Sequence, residues 1–307
     1  MIKSPLNYTG NKSRILEQLF QFFPKKINKF VDLCCGGASV GLNARADHVV
    51  CLDIDKKVIS LLHALRYFSE TTIIEKVEKL IDMFKLSYTC RDGYDKYRQY
   101  LDGNNGLKRY NVNGYLKLRR YYNENNFPNQ LEKSICLFVL IIYCFNNDFR
   151  FNSNGYFNMP VGKTDFNDSI RNKLHSFKEG VKNKEIDFIT HDFTIMKDFT
   201  LTRNDFVYVD PPYLITNAVY NGNGAKWDEF LEKNLLAVLI SLHKRNIKFA
   251  LSNVLNKGDK RNEILINWVH ENEFFVKKIN YHYRSSSYNK KDRETPEEEV
   301  LIVNYNV

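Results

Sequence analysis

The chain has 307 residues, 43% of them hydrophobic, enough for a packed core and long enough for a main domain with a second unit. Lysine and arginine number 45 against 36 aspartates and glutamates, and the formal net charge of +9 favours a polyanionic partner. The first residues are too polar for a signal peptide, and the most apolar segment, Ile135 to Phe145, is too short to span a bilayer, so a cytoplasmic protein without a membrane anchor is expected.

The six cysteines are Cys34, Cys35, Cys51, Cys90, Cys136 and Cys144. None forms a C-x-x-C pair, and no Cys/His cluster has zinc spacing, so neither disulfides nor a metal is expected.

In chain order, the first motif is Asn7-Tyr8-Thr9-Gly10-Asn11-Lys12. It precedes an amphipathic pattern of Ile15, Leu16, Leu19 and Phe20, which must stop before Pro24. A glycine turn, a ring and a lysine at a helix start read either as a cap or as a place for a small anionic or aromatic ligand. Phe30 to Val40 then reads as a buried strand, a turn at Gly36-Gly37 and a helix start. The spacing is not the G-x-G-x-x-G of dinucleotide enzymes, which argues against a nicotinamide cofactor. A second strand, Val49 to Asp53, ends in a carboxylate under about twenty residues beyond the glycines, where it can take both hydroxyls of a ribose. Such a unit, without phosphate-binding glycines, suits an adenosine that carries no pyrophosphate. S-adenosylmethionine is such a ligand.

From about 56 to 145 the pattern is helical, with Ile73, Ile74, Val77, Leu80, Ile81 and Phe84 at helical spacing. Within 91–126, Arg91, Lys96, Arg98, Lys108, Arg109, Lys117, Arg119 and Arg120 read singly as a solvated face and together as a phosphate-contacting surface. In Phe145 to Pro160, Asn154-Gly155 between two aromatic-rich arms predicts a β-hairpin. Alternation puts Asp148, Arg150 and Asn152 on one face and Phe149 and Phe151 on the other. A polar-faced ribbon fits a DNA major groove, where arginine reads guanine; the same pattern also describes an ordinary surface hairpin.

The α/β pattern resumes near 166, with a short strand at Asp187 to Thr190 and Phe193 after it. Asp205 to Val209 reads as a buried strand that must stop at Pro211-Pro212, because neither proline can donate to a ladder. Asp210 and Tyr213 are thereby held on a stiff turn at the carboxyl end of a strand, where open α/β sheets place ligands. The chemistry suits an exocyclic amino group of a nucleobase, whose lone pair is delocalised into the ring. Asp210 can accept one N–H and the Pro211 carbonyl the other, favouring a tetrahedral nitrogen, while the Tyr213 ring offers a stacking face. Beyond a Gly/Asn-rich loop at Asn221 to Gly224, a helix from Asp228 to His243 leads to a strand at Lys248 to Asn253. Arg284 to Arg293, with Ser287, Lys290 and Lys291, is a basic serine-rich loop that either contacts phosphates or is disordered.

These motifs, in this order from Asn7 to about Asn304, resemble the Dam family of DNA adenine methyltransferases, and look most similar to its phage-encoded members. The resemblance rests on Tyr8 to Lys12, Phe30 to Gly37, the hairpin through Pro160 and Gly162, and Val207 to Tyr213. It implies an α/β, class I S-adenosylmethionine-dependent (Rossmann-like) catalytic domain, residues 1–57 and 166–307. A helical target-recognition domain carrying the β-hairpin, residues 58–165, is inserted in it. By motif position Tyr8, Lys12, Asp53 and Asp210 contact S-adenosylmethionine, and Asp32, Gly36 and Phe193 line the same pocket. Asp210, Pro211, Pro212 and Tyr213 are catalytic. On the DNA side fall Asn7, Asn146, Asp148, Asn152 and the 284–291 loop, with Phe145 filling the stack beside a flipped base, Arg150 reading guanine and Pro160 touching a base. Some cellular members carry a lysine where Asn7 stands, and members that read G-A-T-C have an apolar residue where Asp148 stands. A carboxylate there prefers a cytosine amino group.

The implied activity is methyl transfer to adenine in duplex DNA, at G-A-T-C or a related site, with the base leaving the stack. A companion restriction endonuclease is an implied partner. Methylation of the cytosine amino group and a catalytically silent site-masking protein are the alternatives. An RNA substrate fits less well, because the A-form major groove does not admit a hairpin.

Overall fold

The computed structural model describes residues 1–8, 10–101, 103–216, 226–280 and 297–306. In chain order its elements begin with α1 (Leu16–Phe22), β1 (Lys29–Leu33), α2 (Ser39–Asn43), β2 (His48–Asp53), α3 (Lys56–Tyr67), α4 (Glu70–Phe84), α5 (Thr89–Asp92), α6 (Lys108–Glu124) and α7 (Gln130–Tyr143). There follow α8 (Asp168–Lys182), β3 (Glu185–Thr190), β4 (Phe206–Val209), α9 (Glu229–Lys244), β5 (Lys248–Lys257), β6 (Lys260–Arg261), α10 (Glu263–Glu271), β7 (Phe275–Lys278) and β8 (Glu297–Val303). No helix among the described residues is long and apolar enough to cross a membrane.

The chain divides into two compact units, Met1–Asn11 with Asp55–Lys184, and Lys12–Ile54 with Glu185–Val307. These divisions differ from the sequence-based boundaries at 57/58 and 165/166, and they move the first residues to the helical unit. The reason is local. The Lys3 backbone N–H reaches the Ser176 hydroxyl and Lys173 reaches the Asn7 side chain, so the leading segment is tied to α8.

Among the described residues the sheet unit holds all eight strands, in the order β3-β2-β1-β4-β5-β8-β7, with β6 paired to β5. β3 through β5 run parallel, and β8 enters antiparallel between β5 and β7. This mixed α/β sheet is consistent with a class I methyltransferase fold. β4 is a continuous apolar run and β1 is buried from Phe30 to Leu33, because both faces are covered. Val31, Leu33, Val207 and Val209 pack with Leu235, Leu239 and Leu242 of α9. On the opposite face Phe30, Phe206 and Tyr208 meet Phe23, which follows α1, at ring distances of 5.8, 4.8 and 5.5 Å. At about 1.5–3 kcal/mol for each fully buried large apolar side chain, these two faces hold the β1–β4 seam rigid. The chain order reverses direction at that seam, and open sheets bind ligands outside the carboxyl ends there.

The helical unit is built on α7, whose residues 134–143 are all buried. Asn129 caps its first turn through the Glu132 N–H, and the Asn147 side chain closes its last turn on the carbonyls of Ile141 and Ile142. After α7 the predicted hairpin forms only as isolated antiparallel bridges, Cys144 with Val161 and Phe151 with Phe157. The turn is a three-residue loop: the Asn152 N–H bonds the Tyr156 carbonyl, and Gly155 takes a φ of +77°. No ladder grows because α6 satisfies the second arm instead. Asn123 takes both the N–H and the carbonyl of Phe157, and Tyr115 and Arg119 both donate to the Met159 carbonyl. Gly162 lets the arms close, since a Cβ there would stand 2.2 Å from the Cys144 carbonyl oxygen.

Candidate active site

The last backbone donor at the carboxyl end of β4 is Asp210, whose N–H reaches the Leu33 carbonyl at 3.2 Å. Pro211 has no N–H, so the chain leaves the sheet there and Asp210 is fixed at the β1–β4 seam. The Asp210 side chain keeps 18% exposure, while Lys12 and Glu299 beside it keep 3% and 2%. Lys12 Nζ lies 3.1 Å from Asp210 Oδ1, 3.1 Å from Glu299 Oε1 and 2.7 Å from Tyr213 Oη. The Tyr213 hydroxyl in turn lies 3.0 Å from Asp210 Oδ1 and 3.3 Å from Glu299 Oε1. The Lys12 ammonium also stands 5.1 Å from the centroid of the Tyr213 ring. Burial pushes the Asp210 carboxyl up to about 6; Lys12 opposes the rise and Glu299 adds to it.

A second carboxylate closes the neighbouring strand. Asp53, at the end of β2, accepts the Gly36 N–H at 2.8 Å, and its own carbonyl accepts from the His191 N–H. The turn after β1 is left-handed at Cys34, Gly36 and Ala38, with φ of 62°, 47° and 56°. For the two non-glycine residues this costs about 1–2 kcal/mol each, strain of the sort concentrated at ligand sites. Burial, with Asp53 and Asp210 nearby, raises the Cys34 thiol well above its usual range, so it is a neutral group in this turn.

Residues 8–295 match the family described as D12 class N6 adenine-specific DNA methyltransferase. The chain belongs to this family. Among curated relatives, the type II methyltransferase M.FokI of Planomicrobium okeanokoites is 36% identical over 99% of this chain and 43% of that protein. The modification methylase StsI of Streptococcus sanguinis is 34% identical over the same shares. The chain thus spans under half the length of these two relatives. The sequence motifs suggest a nearest likeness to phage-encoded members, and the comparison corrects this. The DNA N-6-adenine-methyltransferase of Escherichia phage P1 is only 23% identical, over 82% of this chain and 30% of that protein.

Membership in the D12 class implies S-adenosylmethionine as methyl donor, and the donor set fits it. A carboxylate at the end of β2, a glycine turn whose N–H is already oriented by that carboxylate, and an anionic cluster at the end of β4 suit a ribose and a sulfonium. Not every expected pocket residue lies at this surface. The Asp32 carboxylate, 1% exposed, accepts the Gly41 N–H at 2.7 Å and so anchors α2. Phe193 is buried, with its ring 5.9 Å from Trp227. Trp227 is held by its indole N–H on Glu232, a buried carboxylate that Asn262 also satisfies.

Apart from those in 284–291, the remaining predicted residues lie in the helical unit. The Tyr8 ring stands 5.8 Å from that of Phe149, and Asn7 is exposed. Phe145 is 44% exposed on a short turn whose Asn146 and Asn147 are left-handed, and its N–H is tied to the Pro160 carbonyl. Arg150 is exposed, with its Nε 3.3 Å from Asn158 Oδ1, while Phe151 is buried, as alternation predicts. Asp148 accepts the N–H of Phe149, and the Asn152 side chain accepts those of Asn154 and Tyr156, organising its own turn. In the basic segment Arg91, Lys96 and Arg98 pair with Asp82, Asp92 and Asp95. Lys108, Arg109, Lys117 and Arg120 are exposed on α6. Arg284, Ser287, Lys290 and Lys291, like the Asn221 to Gly224 loop, lie outside the described residues.

Glu299 and Glu232 were not singled out by sequence. A signal existed for Glu299: it stands directly before a Val-Leu-Ile-Val run, where the alternation of a strand turns one carboxylate in two inward.

Proposed function

We propose that the chain transfers a methyl group from S-adenosylmethionine to the exocyclic amino group of a flipped adenine in a short duplex DNA site. The observation that carries this reading is the Asp210–Lys12–Tyr213–Glu299 cluster at the carboxyl end of β4, in a chain of the D12 class. Bound S-adenosylmethionine supplies an electrophilic methyl on a sulfonium whose leaving group is a neutral thioether. The work of this chain is to make the amino nitrogen a nucleophile and to hold it in line. Asp210 accepts one amino N–H and the Pro211 carbonyl the other, so the nitrogen pyramidalises and its lone pair is freed. As the N–C bond forms and the C–S bond breaks, positive charge grows on nitrogen beside an anionic cluster, which stabilises it. The alkylated nitrogen then loses one proton, to Asp210 or to water, and no covalent enzyme intermediate is needed.

Asp53 and Gly36 hold the cofactor's ribose in this reading, with Tyr8 and Lys12 as further cofactor residues, while the buried Asp32 and Phe193 support the pocket from behind. The helical unit serves as target-recognition domain. Arg150 reads a guanine edge, Asp148 a cytosine amino group, Phe145 fills the stack, and Asn7, Asn146, Asn152 and Pro160 contact the site. Arg109, Lys117 and Arg120, exposed along α6, suit phosphates. Because two relatives bear the names of a type II methyltransferase and a modification methylase, a companion restriction endonuclease for the same site is the implied partner.

The test is transfer of tritiated methyl from S-adenosylmethionine to duplex DNA. The wild type should label DNA and Asp210→Ala should not, while still folding and binding DNA. Turnover by the variant within about tenfold of the parent would refute the acceptor role.

A further inference from the structure

We propose that Glu299 is a positioning residue for methyl transfer, holding the Lys12 ammonium and the Tyr213 hydroxyl and so setting how strongly Asp210 accepts the target amino group. This rests on the methyltransferase reading above. Glu299 cannot touch substrate, being 2% exposed, whereas Asp210 keeps 18%. It sits on β8 opposite Val254 of β5, on the sheet face that also carries Tyr208 and Ser252.

Its effect follows from shared donors. Lys12 is 3.1 Å from one oxygen of each carboxylate. The Tyr213 hydroxyl lies 3.0 Å from Asp210 and 3.3 Å from Glu299, and it has one proton to give. Each donor drawn to Glu299 is loosened from Asp210, leaving an Asp210 lone pair for the adenine N–H. One carboxylate would be counter-ion enough for a buried lysine. Two leave the cluster with a surplus negative charge, aimed where positive charge develops on nitrogen.

Replacing Glu299 by glutamine removes that surplus and turns both donors onto Asp210. The groups facing Asp210 are Lys12 from the segment before α1, Tyr213 from its own turn, Tyr208 from β4, Glu299 from β8 and Cys34 from the turn after β1. Glu299 is a like charge among them and helps raise the Asp210 carboxyl, so its loss lowers that carboxyl's titration.

The experiment is single-turnover methyl transfer to duplex DNA from about pH 5 to 9 for wild type, Glu299→Gln and Glu299→Asp, with cofactor affinity and thermal melts alongside. Glu299→Gln should lower the plateau rate by about tenfold or more and move the acid limb down by about one pH unit, with cofactor affinity little changed. Glu299→Asp keeps the charge but withdraws the oxygen by one methylene, so its plateau should fall with the limb in place. It carries the test if the glutamine variant melts below the assay temperature. An unchanged limb and plateau in the glutamine variant, an unchanged plateau in the aspartate variant, or a rate loss matched by lost cofactor binding with no shift of the limb would overturn the proposal. A wild type that methylates nothing would instead defeat the methyltransferase reading itself.

Discussion

Asp210→Asn separates what Asp210 does for the reaction from what it does to the fold. In the folded protein the carboxyl is raised from its ordinary 3.8 to about 6. A group whose folded value lies above its unfolded value binds its proton more tightly when folded, so its ionised form is the destabilising one. Two pH units correspond to about 3 kcal/mol, absent below about pH 4 and fully present above about pH 7. Asparagine is neutral at every pH and keeps an oxygen for Lys12 or Tyr213. Equilibrium urea unfolding should therefore find Asp210→Asn more stable than wild type by up to about 3 kcal/mol at pH 8, with the difference fading towards about pH 4. Methyl transfer should fall by about 100-fold or more, because the amide is a weaker acceptor for a nitrogen acquiring positive charge. A variant less stable than wild type at pH 8, or a stability difference that does not change with pH, would refute the reasoning.

Three further outcomes follow from other parts of the structure. Asp53→Ala removes the partner of the Gly36 N–H and the proposed ribose acceptor, and calorimetry should show cofactor binding weakened by about 1.5–3 kcal/mol with DNA binding little changed. Arg150→Ala should cost about 1–3 kcal/mol on the cognate site and little on unrelated DNA. A uniform loss with a shallower salt dependence would make Arg150 a phosphate anchor instead. Asn123→Ala breaks both backbone bonds to Phe157, so the 156–160 arm should loosen; discrimination between cognate and single-substituted duplexes should fall, while cofactor affinity in the same preparation stays unchanged.

The strand that carries Asp210 was legible because its signals are local. Apolar continuity marks β4 as buried on both faces, prolines fix where β4 stops, and a carboxylate at the end of β2 follows from the strand itself. The hairpin shows where local signals run out. Asn154-Gly155 does make a turn, yet the ladder is replaced by Asn123, Tyr115 and Arg119, which lie more than thirty positions upstream of the backbone they satisfy. Arg119 reads in the sequence as one cation of a phosphate surface and is partly spent on the Met159 carbonyl. Glu299 is the same lesson at longer range, since it meets Tyr213 across 86 positions, through an antiparallel strand whose pairing no local pattern reports.

The most direct test of the central claim is nucleoside mass spectrometry of duplex DNA incubated with the protein and S-adenosylmethionine. The account predicts N6-methyladenine with wild type and none with Asp210→Ala. Methyl groups on the cytosine amino nitrogen, or N6-methyladenine made equally well without the Asp210 carboxylate, would contradict it.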